Sequence, residues 1–66
     1  MQNFKHYRAF QIDPDGHVFG CINLVCSDDE QAKREAAALA LVNRIELWRL
    51  DKQLAQFDLP PEVVRQ

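Results

Sequence analysis

From Phe4 to Ile12 the chain mixes aromatic and aliphatic residues with His6, Arg8 and Gln11 at short intervals, which reads as a β-strand. Asp13-Pro14-Asp15-Gly16 interrupts that rhythm. Pro14 presets φ for the second position of a type I turn, and Asp13 can bond the backbone just downstream. Gly16 takes the left-handed position of a G1 bulge. A second, largely apolar strand follows and ends at Cys26. The three-residue loop pairs Asp13 with His17 and so predicts Ile12 opposite Val18, Phe10 opposite Gly20, Arg8 opposite Ile22 and His6 opposite Leu24. In this register one face gathers Phe4, Phe10, Ile12, Val18, Ile22, Leu24 and Cys26, and it is the expected core face. The other carries Lys5, Tyr7, Ala9, Gln11, His17, Phe19, Cys21, Asn23 and Val25 and is more polar.

The period changes after Ser27. Ser27 can accept from the Glu30 N–H while Glu30 reaches back to the Ser27 N–H, the reciprocal pattern of a capping box, and Asp28 and Asp29 suit the positive end of the helix macrodipole. Ala32, Ala36, Leu39 and Ala40 recur on one stripe, small enough to let the helix approach a sheet closely. Asp29/Lys33 and Glu30/Arg34 are favourable i,i+4 pairs, and Asn43 is the expected left-handed stop. A second hairpin, Ile45 to Leu50 and Gln53 to Phe57, follows with a weak turn near Asp51-Lys52. Its register stays open. With an odd loop count Ile45, Leu47, Ala55 and Phe57 share one face and Trp48, Leu50 and Leu54 the other; in either register both faces are apolar. The segment from Asp58 to Val64 could start a short helical turn at its prolines.

These elements predict an α+β domain in ββαββ order, an antiparallel sheet with one helix packed on one face. Residues 1–66 form a single domain, with an ordered part of about 4–58 and a C-terminal tail of 59–66. Hydrophobic residues make up 47% and charged residues 27%, the balance of a folding chain rather than a disordered one. A domain of 66 residues nearly breaks even between burial and ordering entropy, so self-association is a natural expectation.

Charge and chemistry narrow the function by exclusion. The net charge of −2 has both signs interspersed, so electrostatics give no argument for nucleic acid. A base-stacking face would have to come from Lys5, Tyr7, His17 and Phe19. The uncharged runs are too short to cross a bilayer and no basic leader precedes them, from which a cytoplasmic location without membrane contact is expected. Cys21 and Cys26 are not spaced as a C-x-x-C pair, and on one regular strand they point to opposite faces, against a disulfide. His6 and His17 fall near opposite ends of the hairpin, and neither has the further ligands of a usual zinc site. Asp13-x-Asp15-Gly16 lacks the later ligands of a calcium loop and reads as a turn. Cys21 has no well-placed base, and Asp28, Asp29 and Glu30 are explained by capping. No catalytic residue, metal ligand or cofactor site is expected.

Trp48 stands out, since a tryptophan on a terminal hairpin is a common interface anchor. Three placements are open to it: the core, cover by Leu59, Pro60 and Val63, or a contact surface shared with Leu50, Leu54 and Leu41.

Tyr7-Arg8-Ala9-Phe10, the Asp15-Gly16-His17 turn, the acidic helix start and Glu46-Leu47-Trp48 together resemble a family of short uncharacterised alphaproteobacterial proteins, over Tyr7 to Phe57. That resemblance implies two strands, an acidic-capped helix and a terminal hairpin, and transfers no site. The aromatic strand, the Asp-x-Asp-Gly turn, Gly20-Cys21 and Glu30-Gln31-Ala32 are also similar to the partial ribonuclease-H-like antitoxins. The proline before the cysteine and the DNA-binding segment of those proteins are missing here. That second resemblance implies an inhibitor covering a small ribonuclease. The residues themselves lead to a non-catalytic protein-interaction module that self-associates through the terminal hairpin, with a homodimer or another protein as partner.

Overall fold

The computed structural model describes residues 3–58, in the order β1 (Lys5–Ile12), β2 (Val18–Cys26), α1 (Asp29–Leu39), β3 (Arg44–Arg49) and β4 (Lys52–Phe57). The fold is α+β: four antiparallel-paired strands form one sheet in the order β2-β1-β3-β4, and α1 crosses from β2 to bring β3 in beside β1. Residues 59–66, and with them the possible cover of Trp48 by the tail, lie outside the described residues.

The first turn forms as its residues dictate. Asp13 N–H donates to the His17 carbonyl at 2.8 Å, and Gly16 N–H donates to the Asp13 carbonyl at 2.9 Å. Gly16 sits at φ +89°, where a side chain would be strained. The Asp13 carboxylate accepts from the N–H of Asp15 at 3.0 Å and of His17 at 2.8 Å, so the loop's free donors are satisfied by one side chain.

Beyond the first pair the register departs from expectation. Ile12 opposes Val18, but Gln11 opposes Gly20, and Phe19 is the extra residue of a β-bulge. Ala9 therefore faces Ile22 and Tyr7 faces Leu24, which joins the odd residues of β1 to the even residues of β2. This corrects the expected core face. Tyr7 and Ala9 are buried, Phe10 is half-buried on the opposite face, and Phe4 and Val18 are exposed. Ile22, Leu24 and Cys26 keep the expected side, and Ile12 is buried apart from the main cluster. The physical reason lies in the helix. Ala32, Ala36 and Ala40 form its buried stripe, and a stripe of methyl groups is covered only if the strand beneath is equally low. Ala9 in a central strand permits that approach; a phenylalanine there would hold the helix away.

The helix starts one residue later than the capping box predicts. Asp28 is the N-cap and its carboxylate accepts from Gln31 N–H at 2.8 Å, while Gln31 Oε1 accepts from the Ser27 N–H at 2.9 Å and from its hydroxyl at 2.8 Å. Asp28 takes the accepting role expected of Ser27, but the return bond from the Gln31 side chain goes to Ser27, the residue before the cap, rather than to the cap's own N–H, so the strict reciprocity of the expected box is not kept. At the other end Ala40 N–H donates to the Ala37 carbonyl at 3.1 Å. Asn43 is not left-handed, because Leu50 is the one non-glycine residue at positive φ among the described residues. Among the described residues Arg44 forms an ion pair with Asp58 and His17 Nδ1 approaches the Asp13 carboxylate, whereas Asp29–Lys33 and Glu30–Arg34 do not pair.

The second hairpin closes through Leu50-Asp51, two residues rather than an odd number, with Leu50 at φ 58°. A bulge at Leu54 supplies the missing residue: Leu47 opposes Ala55 and Trp48 opposes Gln53. Ile45 and Leu47 are fully buried against the helix with Ala55 and Phe57 beside them, the grouping the odd-loop alternative describes. Leu54 departs from it, since the bulge turns this side chain toward the core.

Candidate interaction surface

Among the described residues the helix covers one face of the sheet and leaves the other open. On the open face Phe10 of β1 lies next to Trp48 of β3, their rings 6.3 Å apart between centroids and 81° between planes. Such an edge-to-face pair contributes about 0.5–1.5 kcal/mol beyond its buried area. The Trp48 indole Nε1–H donates to Glu46 Oε1 at 3.2 Å, which leaves the indole polar edge satisfied while the ring is half-exposed. Arg8 opposes Trp48 on one side and Asn23 on the other; Cys21 opposes Phe10, and Val25 opposes His6. His6, Arg8, Cys21, Asn23 and Val25 are all exposed. His6, Tyr7, Arg8, Asn23 and Leu50 line a hollow near the β3–β4 turn.

The four side chains expected to share a contact surface are not brought together. Trp48 is central to the open face. Leu50 is 83% exposed at the hairpin tip, and Leu41 is 69% exposed after the helix, at the other end of β3. Leu54 packs on the core. Phe10 is not legible in the sequence as the ring beside Trp48, because their contact depends on β3 pairing with β1 and on which face of β1 the helix covers.

Tyr7 lies on the core face rather than on the more polar face expected of it, and its burial creates the tie between sheet and helix. Its hydroxyl donates to Asp29 Oδ1 at 2.6 Å. Burial, the hydrogen bond and the Asp29 charge push the phenol up to about 12, and the same hydrogen bond holds the Asp29 carboxyl below its ordinary value. At 1% exposure Tyr7 cannot stack a base, which breaks up the set Lys5, Tyr7, His17 and Phe19.

The groups with catalytic potential stand apart. Cys21 is an exposed free thiol opposite Phe10, with neither histidine paired beside it. Cys26 is free and buried; burial first, then the neighbouring Glu35, pushes its thiol up, away from the reactive thiolate. At the turn, the ligand atoms of Asp13, Asp15 and His17 lie within 4.8 Å of one another, a grouping legible as D-x-D-x-H around the loop. His17 Nδ1 is 3.8 Å from Asp13 Oδ2, and the other Asp13 oxygen is committed to the turn's own N–H groups, so loop closure accounts for the arrangement. Among the described residues no helix is long and apolar enough to cross a membrane.

No family model, curated protein or solved structure matches the chain. Neither resemblance drawn from the motifs gains support from these comparisons, and the functional reading rests on the surface itself.

Proposed function

We propose that this chain is a non-catalytic protein-interaction module that associates with itself and offers its open sheet face, with Trp48 at the centre and Leu50 at the rim, to another protein. One observation carries the reading: a four-stranded sheet is covered by a single eleven-residue helix on one side, while a tryptophan and a phenylalanine stand half-exposed on the other. Half-exposed aromatic rings held rigid by β-strands suit an anchor, because little side-chain entropy is lost on docking. The surrounding Arg8, Asn23, Glu46 and His6 supply the polar rim of such a patch.

Light scattering across a concentration series, with the fluorescence of the single tryptophan followed in parallel, tests this. The expected mass rises above the 7.7 kDa of one chain toward twice that value. Adding a binding protein is expected to move the Trp48 emission to shorter wavelength as the ring leaves water. A 7.7 kDa particle at every concentration, together with a Trp48→Ala variant that retains every protein contact of the parent, would overturn the reading.

A further inference from the structure

We propose that β2 is the pairing edge of a symmetric dimer, in which β2 of a second copy of this chain lies antiparallel to it and extends the sheet from four strands to eight. This rests on the self-association proposed above and assigns it a place.

The sheet has two edges, β2 and β4, and an open edge presents alternate backbone N–H and C=O groups to any strand that can reach them. β4 is defended. It has six residues, starts on Lys52, and is bent by the bulge at Leu54. β2 has nine residues, Val-Phe-Gly-Cys-Ile-Asn-Leu-Val-Cys, without a charge or a proline. Its bulge at Phe19 lies at one end and leaves Gly20–Cys26 as a regular run. On the helix side Ile22 and Leu24 are only partly buried, because no strand among the described residues stands beyond them; on the open side Val25 is 52% exposed.

A two-fold axis pairing the regular run with itself falls on its middle residue, Asn23. That register sets Ile22 of each copy against Leu24 of the other, which completes the burial both lack. It sets Cys21 against Val25 and Gly20 against Cys26. The two Asn23 amides meet at the axis, where each can donate to the other's carbonyl oxygen. No charge is opposed along the pairing, so the net −2 of each chain does not bar it. The strip is about 24 Å long at ~3.4 Å per residue. The molecule is 15 Å across at its thinnest. A strip of these dimensions is smaller than a standard specific interface and belongs with weak, transient contacts, so main-chain hydrogen bonds rather than area carry it. An axis perpendicular to the sheet keeps both helices on one face and leaves the two Phe10–Trp48 patches side by side on the other.

The test sets Asn23→Lys against the same charge on the opposite edge, Gln53→Lys, both at exposed positions. Asn23→Lys places like charges face to face at the axis and is expected to weaken the dimer by up to about fivefold. Gln53→Lys is expected to leave the dissociation constant unchanged. Independently, Asn23→Cys combined with Cys21→Ser is expected to give a disulfide-linked dimer under mild oxidation that reverts with reductant. Directly opposed strand residues have Cα atoms ~4.5–5.5 Å apart, within disulfide reach. The cross-link decides the matter if Asn23→Lys does not fold. A folded Asn23→Lys with undiminished association, or absence of the cross-link in a dimeric protein, overturns the β2 edge while leaving self-association standing. A parent chain that is monomeric throughout overturns both.

Discussion

The β1–β2 hairpin turns through Pro14-Asp15-Gly16 and the β3–β4 hairpin through Leu50-Asp51, and the two loops are held by different parts of the molecule. In the first, the loop's own residues supply the left-handed glycine and the carboxylate that caps two N–H groups. In the second, a leucine is held at φ 58° although a side chain there costs about 1–2 kcal/mol. Nothing local recommends that conformation. What recommends it is Ile45 and Leu47, both fully buried under the helix, whose placement dictates where β4 must return. One hairpin is closed by its turn and the other by the core, and both use a bulge to bring apolar residues to the helix side.

The contrast predicts which substitutions break which hairpin. Leu47→Ala is expected to have the largest effect, about 2–5 kcal/mol, because it removes a fully buried side chain from the strand that the core must hold. Urea denaturation reads it, with the midpoint falling and the whole chain unfolding together. Gly16→Ala strikes the self-closing turn and is expected to cost about 1–2 kcal/mol from its positive φ alone. In a domain of this size each kcal/mol lowers the thermal midpoint by roughly 4–8 °C.

Tyr7→Phe cuts the bond between β1 and the helix start and is expected to cost about 1 kcal/mol near neutral pH. Its pH signature is more specific. The phenol titrates near 10 when unfolded and at about 12 when folded, so the folded state keeps its proton longer. Stability is full below pH 10 and is lost as pH rises from 10 to 12. Asp29 works in the opposite sense: its folded carboxyl is held low, so its contribution is present above the ordinary carboxylate range and lost as pH falls through the folded value. Denaturation midpoints across pH should therefore show a steeper alkaline fall for the parent than for Tyr7→Phe, and an equal slope would show that the hydroxyl is not buried against Asp29.

The smallest expected effect has the opposite sign. Leu50→Gly relieves roughly 1–2 kcal/mol of left-handed strain and forfeits roughly 0.5–1 in chain entropy, for a net gain of about 0.5 kcal/mol. A small rise in the thermal midpoint is the expected outcome; a fall would mean that the leucine side chain contributes more at the hairpin tip than its 83% exposure implies.

The proposed surfaces were legible to different depths. Trp48 can be singled out from composition alone, but Phe10 beside it cannot, because strict alternation from the first turn assigns that ring to the core. The bare β2 edge is visible as an uncharged run, yet that run is an edge only because β3 takes the far side of β1. Leu41, Leu50 and Leu54 look alike in the sequence and end respectively past the helix, at a hairpin tip and against the core.

What the chain determines by itself is whatever neighbouring residues decide together. Asp13 to Gly16 closes a turn, the stretch from Ser27 to Gln31 starts a helix, and alanines at helical spacing choose its inner stripe, because each depends on hydrogen bonds or side-chain directions within about one turn of backbone. Tertiary structure alone decided the bulges at Phe19 and Leu54, the burial of Tyr7 and Ala9 and the strand order. A bulge gains nothing locally; it is favoured only when the helix, β1 and β3 meet and the low alanine stripe has to be covered.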